Sequence, residues 1–379
     1  EIPPLVRTNT TTPTTIAALV ANPPDRNTHT PNAVRRLSEF VPPVVHTWSA
    51  GVQRELGWNV VGDFAYVGNA ARRQLINREL NGRPNGYIYQ PENLDPTNRP
   101  GGGQPQPLPD DLLRPYRGFG SITQKEFTGY SDYHSLQVAV NRRRSSDGLT
   151  FGTAYTYQMV NRTLGAIDPF LADNRARNYN SAGRRPHTLT FNYSLLVPNL
   201  PRTSSPILRA ALNDWQLSGL TTILSGLQGG FTYSYIGAPT GTFIGSGSIG
   251  GGPNRPRIVC DPELPRSERT FERQFRTECI APPDDEFNFG TARGDEFHGP
   301  GYMNWDISVF KNVRLRGTRR LQFRVELYNA FDAEQWTGVN TNAQFDYVTG
   351  ALRNPTVFGS LTDATNSARR IQLAVRFTF

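Results

Sequence analysis

Apolar and polar residues alternate one for one in most of nine stretches of this chain, and between them the alternation vanishes. In residues 44–55, Trp48, Ala50 and Val52 take one phase while Thr47, Ser49, Gly51 and Gln53 take the other; residues 58–67 repeat this with Trp58, Val60, Phe64 and Tyr66. The period recurs in 131–143 (His134, Leu136, Val138, Val140), 148–160 (Leu149, Phe151, Tyr155, Tyr157, Met159) and 187–197 (Leu189, Phe191, Tyr193, Leu195). It returns in 301–312 (Met303, Trp305, Ile307, Val309), 319–331 (Leu321, Phe323, Val325, Leu327) and 368–379 (Ile371, Leu373, Val375, Phe377, Phe379). Residues 214–226 are apolar on both phases, so their faces stay unassigned, with "GGFTYSYIG" a candidate continuation. Successive side chains of a strand point to opposite faces, so a period of two predicts nine β-strands.

The connections are lopsided. Links such as "SSDG" are short, whereas the polar stretches 68–130, 161–186, 237–300 and 332–367 are long, and residues 1–43 read as a further loop segment. Strands of about 10 to 13 residues exceed the roughly 5 to 6 usual in soluble sheets and match the about 9 to 11 that cross a bilayer at a tilt. Two-faced strands with short turns on one side and long loops on the other predict an all-β, transmembrane antiparallel β-barrel of the outer-membrane type over 44–379. The long loops are then extracellular and the C-terminus periplasmic. A soluble sheet with one wet face produces the same alternation; Trp48, Trp58, Trp215 and Trp305 near strand ends favour the membrane, where such rings sit at the interfaces.

The charges agree with this assignment. Asp63, Asp306, Arg324, Glu326 and Arg376 all fall on the polar phase and are expected to face the lumen. An arginine near the bilayer midplane on the other phase would cost roughly 2 to 4 kcal/mol. Arg54 does take the apolar phase, but beside a short turn, where the cost falls to about 0 to 1 kcal/mol. An odd strand number places the two ends of the chain on opposite sides, and bacterial single-chain barrels usually have even numbers. The expectation is therefore the C-terminal part of a larger barrel.

Composition narrows the alternatives. Gly and Pro account for 35 and 30 of 379 residues and aromatics for 11%, a profile of strands and turns. Mean hydropathy is −0.51 and no run approaches 18 apolar residues, which excludes a transmembrane helix and says nothing against a barrel. Net charge is +8, yet the basic residues are scattered arginines with only Lys125 and Lys311 as lysines, and no nucleic-acid motif is present. Cys260 and Cys279 share one polar segment without zinc spacing: a local disulfide in an oxidising compartment, or two unpaired thiols. No nucleophile elbow, H-E-x-x-H pair, phosphate loop or EF-hand appears, and His29, His46, His134, His187 and His298 are far apart, so neither catalysis nor a cofactor is expected. The acidic pairs Asp284, Asp285 and Asp295, Glu296 read as solvated loop charge before a Ca²⁺ site.

The segments "HTWSAGVQRELGWNVVGDFAYVGN", "RRPHTLTFNYSLLVPNLP" with "NDWQLSGLTTILSG", "GPGYMNWDISVFKNVRLRGTRRLQFRVELYNAFD" and the terminal "RRIQLAVRFTF" resemble the C-terminal barrel portion of TonB-dependent receptors, most of all the Oar-like group. The resemblance spans about residues 44–379. It implies a 22-stranded barrel plugged by an N-terminal domain that contacts TonB, neither plug nor TonB-binding segment lying within these residues. It also implies a receptor that binds an unidentified substrate through its extracellular loops, with outer-membrane lipid, lipopolysaccharide and the barrel-assembly machinery as partners. The last of these reads the aromatic closing strand Ile371, Leu373, Val375, Phe377 and Phe379. A structural or adhesive surface protein is the alternative, and a soluble carbohydrate-binding module or glycosidase a third class, separated by detergent dependence.

Deleting Phe379 is expected to lower the amount of assembled, heat-modifiable protein in the outer membrane. An unchanged amount would count against an assembly role for the last strand.

Overall fold

The computed structural model describes residues 33–36, 41–82, 90–99, 101, 105–108, 110–117, 119–143, 147–164, 166–167, 179–180, 184–199, 206–236, 255–283, 290–315, 317–364 and 368–379. Nine long strands form one antiparallel meander in chain order: β1 (Val44–Gly57), β2 (Val60–Glu79), β3 (Ile122–Arg142), β4 (Leu149–Leu164), β5 (His187–Leu196), β6 (Trp215–Leu224), β7 (Tyr302–Arg314), β8 (Arg320–Tyr328) and β9 (Arg370–Thr378). Among the described residues β1 and β9 each pair on one side only. Links 58–59, 143–148, 197–214 and 315–319 lie at one end of the sheet, and loops 80–121, 165–186, 225–301 and 329–369 at the other. The link 197–214 is the longest on its side and holds a short helix, Pro206–Leu212.

The tightest link shows how sequence sets geometry. Trp58 and Asn59 both adopt positive φ, 53° and 58°, after Gly57 at 88°. Two left-handed residues in succession give the hairpin turn whose twist matches its flanking strands. Trp58 therefore belongs to the turn and not to the strand alternation assigned to it above. Arg142 fastens the turn to β3 by donating its Nε–H to the Trp58 carbonyl at 3.1 Å.

Two strands run well past their expected ends. β2 and β3 continue through 68–79 and 122–130, which the loss of alternation had placed in a loop. Ion pairs hold this extension in place of an apolar face: Arg72 meets Asp132 at 2.6 Å and Arg78 meets Glu126 at 2.7 Å. Ile76 and Leu164 are buried beside Tyr130 in a small core of their own. Register shifts at Ala71/Gln74 and Gln74/Ile76, with Arg73 at φ 56°, break the period that sequence reading relies on. A second correction concerns "GGFTYSYIG": β6 stops at Leu224, and Thr232–Ile236 pairs in parallel with Asn342–Asp346. Within the opening segment, Ala33–Arg36 lies parallel to β3; residues 1–32 and 37–40 are outside the described residues.

Ladder register sorts the side chains into two faces. One row reads Val52, Phe64, Val138, Tyr155, Leu189, Ile223, Met303, and a second reads Leu195, Leu217, Val309, Val325, Leu373. On the other face Gln53, Asp63, Ala139, Ala154, Thr190, Thr222 and Asn304 share a row, and Ser194, Ser218, Ser308, Glu326 and Gln372 another. The apolar face is not covered: Val52 is 66% exposed, Leu373 73% and Val375 64%. A water-soluble sheet would bury this face, whereas hydrocarbon is the solvent it fits. Aromatic rings fill the gaps left by glycine, with Trp48 lying over Gly68 and Tyr193 over Gly219.

Like Arg54 and Arg142, Lys311 falls on the apolar phase, paired in the ladder with Trp215 and Phe323. Its ammonium reaches toward the short-link end, donates to the Asn213 carbonyl and sits 5.1 Å from the Trp215 ring centroid. A long stem that carries its charge out of the hydrocarbon is the ordinary way to keep a cation on such a face. A double-mutant cycle of K311M and W215L in lipid or detergent is expected to show a coupling of about 1 kcal/mol, the scale of a partly desolvated cation–π contact. Additive effects on the unfolding midpoint would contradict it.

Candidate functional site

Among the described residues the larger hydrophobic core lies in the loops. Phe231, Tyr233, Phe275, Phe297, Phe345 and Phe358, none more than 3% exposed, pack together with Leu113, Cys279 and Ile280. Ring centroids are 4.6 Å apart for Phe231–Phe275 and 5.0 Å for Phe275–Phe358, at edge-on angles. Loops 80–121, 225–301 and 329–369 all contribute, so three long connections condense into one cap at one rim of the sheet. The parallel ladder from Thr232↔Asn342 to Ile236↔Asp346 joins two of them, extended by Leu361 N–H to the Phe271 carbonyl at 2.8 Å. Gly226 passes so close to the Gly299 carbonyl that a Cβ there would collide with backbone.

Cys260 and Cys279 are joined by a disulfide, their Cα atoms 4.9 Å apart, with Cys279 buried in this core. Nearby, Glu263 accepts from the His298 backbone N–H at 3.0 Å and lies 3.2 Å from His298 Nδ1, while Arg269 pairs with its other oxygen. Burial opposes ionisation of Glu263, but His298 and Arg269 together hold its carboxyl below the ordinary range. Asp346 closes the end of the parallel ladder. It accepts the Thr349 and Val348 N–H groups at 2.8 and 3.1 Å and takes both Nε and Nη2 of Arg353, at 3.1 and 2.5 Å. The Thr349 N–H, followed by Arg353, holds the Asp346 carboxyl far below the ordinary range.

On the polar face of the sheet the register collects Asp63, Asp306, Arg324, Glu326 and Arg376, the five charges singled out above. They do not pair with one another among the described residues. Arg324 bonds Gln322 at 2.8 Å and stacks 5.2 Å from the Phe310 ring centroid, and Asp306 accepts the Asn329 N–H at 3.0 Å where β8 ends. Asn329, at φ 49°, then bonds Ala333 through both ends of its amide, which turns the chain toward the cap. At this rim of the polar face a cavity of about 560 Å³ is lined by Asn304, Asp306, Tyr328, Gln335, Arg370 and Gln372.

The remaining candidates are dispersed. His134 bonds Tyr66 at 2.6 Å, His187 bonds Tyr155 at 2.8 Å and stacks on Tyr157, and both belong to a ring-rich band on the apolar face near the long loops. Asp295 and Glu296 face Arg293, while Asp284 and Asp285 lie outside the described residues. Among the described residues no cluster of three His, Cys, Asp or Glu is placed to hold a metal ion.

The profile of the outer membrane beta barrel domain family matches residues 2–372. The chain belongs to that family. No curated protein matches the sequence. Solved structures to which it is similar include the outer membrane transporter YddB from Escherichia coli, at 11% identity and TM-score 0.41 over 91% of this chain and 34% of that one. The FrpB iron transporter from Neisseria meningitidis (F3-3 variant) gives 10% and 0.38 over 90% and 32%, and the siderophore receptor PirA from Acinetobacter baumannii 10% and 0.37 over 89% and 32%. The chain spans about one third of the length of the solved structures it matches. Membership of the outer membrane beta barrel domain family makes the nine-strand sheet part of such a domain.

Because the Asp346 carboxyl is depressed in the folded state, the stability it contributes is present above the ordinary aspartate range and is lost as pH falls through that range toward the folded value. The cap is expected to become protease-sensitive in acid, and D346N to loosen it at neutral pH while flattening the acid dependence. Equal protection of residues 342–354 in both proteins at every pH would contradict this. G226A is expected to cost about 1 to 3 kcal/mol through backbone displacement, read as faster proteolysis of loop 225–301 with heat-modifiability retained.

Proposed function

We propose that this chain is the C-terminal wall and loop cap of a TonB-dependent outer-membrane receptor, in which the polar face lines the lumen and the long-loop end faces outward. The observation that carries this reading is the asymmetry of the sheet. One rim bears tight links such as Trp58-Asn59, and the other a cap with its own aromatic core and disulfide. The apolar face needs lipid, the opposite face would offer Asp63, Asp306, Arg324, Glu326 and Arg376 to water, and the cap at the long-loop rim would select what enters. The unpaired outer edges of β1 and β9 support completion by further strands, since an exposed edge in hydrocarbon would leave peptide groups unbonded. TonB would be engaged by a plug outside this chain, as the resemblance to the Oar-like group implies, and the cap and lumen would bind the substrate. The lipid-facing strand β9, ending on Phe377 and Phe379, would be the signal read by the assembly machinery.

The alternative, a non-transporting structural or adhesive surface protein, draws on one feature: Phe271, half exposed on the cap, packs edge-on against Trp336 at 5.1 Å, an aromatic contact at the surface.

Two measurements test the reading. A peptide tag inserted after Thr349 is expected to label on intact cells; labelling only after permeabilisation would reverse the orientation. Photo-cross-linking in cells that express the whole reading frame is expected to capture TonB, and persistent absence of that adduct would favour the structural or adhesive protein.

A further inference from the structure

The cavity of about 560 Å³ at the long-loop rim of the polar face is walled by β7, β8 and β9. Tyr302, Asn304 and Asp306 follow one another on one phase of β7, while the cross-strand pair Tyr328↔Arg370, with Gln372 two residues on, supplies the other two strands. Two lining side chains are spent on the wall itself. Gln335 accepts the Met303 N–H and donates to the Met303 carbonyl, and Asn329 treats Ala333 in the same way. The others keep polar groups open. Asp306 uses one carboxylate oxygen on the Asn329 N–H at 3.0 Å, and among the described residues the side chains of Tyr302, Asn304, Arg370 and Gln372 have no hydrogen-bond partner.

Three properties of this surface define what fits it. The first is charge: Arg370 is balanced by Asp306, and Glu326 lies in the ladder row of Gln372, whereas Arg324 and Arg376 lie further toward the short links. An anion would meet two carboxylates here and a cation would meet a guanidinium, and such like-charge encounters disfavour binding. The second is aromatic. Tyr328 is 42% exposed and Tyr302 half-buried on the wet face of the sheet, where each ring offers a flat apolar surface with a polar tip. The third is a neutral surround. Thr190 and Thr222 share the row of Asn304, and Ser194 and Ser218, 3.1 Å apart and both bonded by the Gln216 amide, share the row of Gln372. A sugar is uncharged, its ring has a flat C–H face, and each hydroxyl both donates and accepts. We propose that the cavity binds a neutral oligosaccharide, with Tyr302 and Tyr328 against the sugar rings and Asn304, Asp306, Arg370 and Gln372 on the hydroxyls. A volume of this order encloses a short run of rings and not a polymer. The proposal names a substrate class for the receptor reading made above and rests on it.

Isothermal titration calorimetry tests the assignment, on protein expressed from the whole reading frame and purified in mild detergent. Maltohexaose, cellohexaose and xylohexaose are the neutral probes; trigalacturonate, trialanine and ferric citrate are the charged ones. At least one neutral probe is expected to bind saturably, roughly tenfold or more tighter than any charged one. N304A/Q372A is expected to weaken that binding about tenfold, the scale of two neutral hydrogen bonds, with heat-modifiability retained. Y328A is expected to lose more affinity than Y328F, which keeps the ring. Saturable binding of none of the three neutral probes, tighter binding of trialanine or of either anionic probe, or equal affinity of N304A/Q372A and wild type would each overturn the proposal; the first two need no variant to fold. The tag after Thr349 separates the two readings: surface labelling without sugar binding sinks this site alone, and labelling only after permeabilisation, with sugar still bound, sinks the orientation.

Discussion

Hydrocarbon accepts no hydrogen bond from a peptide group, so each strand in a bilayer must bond its neighbours sideways while one phase of its side chains meets lipid. That single constraint runs through the sheet. It forces nine strands into one continuous ladder, leaves Leu373 and Val375 bare on one side, and sends Asp306, Arg324 and Glu326 to the other. It also removes the usual place for a core. A soluble protein of this size would bury its apolar face against a second layer, but here that face is spent on the membrane. The condensed aromatic interior has moved to the rim, where water drives loops together in the ordinary way.

How much of this was legible in the sequence follows from the same constraint. Where strands lie against hydrocarbon, a polar residue on the wrong phase is expensive, so the alternation in 187–197 or 301–312 is clean and the strands were found within a residue or two. Above that zone the expense disappears. Asn69, Arg72 and Arg78 then enter β2 freely, and cross-strand charge pairs such as Arg78 with Glu126 take over, with no periodic trace. Lys311 escaped notice for the opposite reason: its backbone obeys the apolar phase while its charge leaves the face altogether.

The cap was invisible for a topological reason. Phe231, Phe275, Phe297, Phe345 and Phe358 come from segments too short and too far apart to show a period, and the ladder that unites them pairs residues more than a hundred positions apart. The usable signal was aromatic density inside stretches read as polar, "FTYSYI" and "AQFDYV" above all. Cys260 and Cys279 marked the place, since a disulfide between neighbouring loop positions has a purpose only where the loop holds a shape.

The parallel ladder between 232–236 and 342–346 has a consequence for how this surface can change over generations. Exposed loops ordinarily drift one at a time, because nothing in one depends on the next. Here an insertion that shifts Tyr233 or Tyr235 by one position turns it out of the aromatic interior unless the facing strand around Phe345 shifts with it. Freedom to diversify is therefore confined to exposed side chains outside the ladder, such as Val348, and the two loops are bound to a shared history.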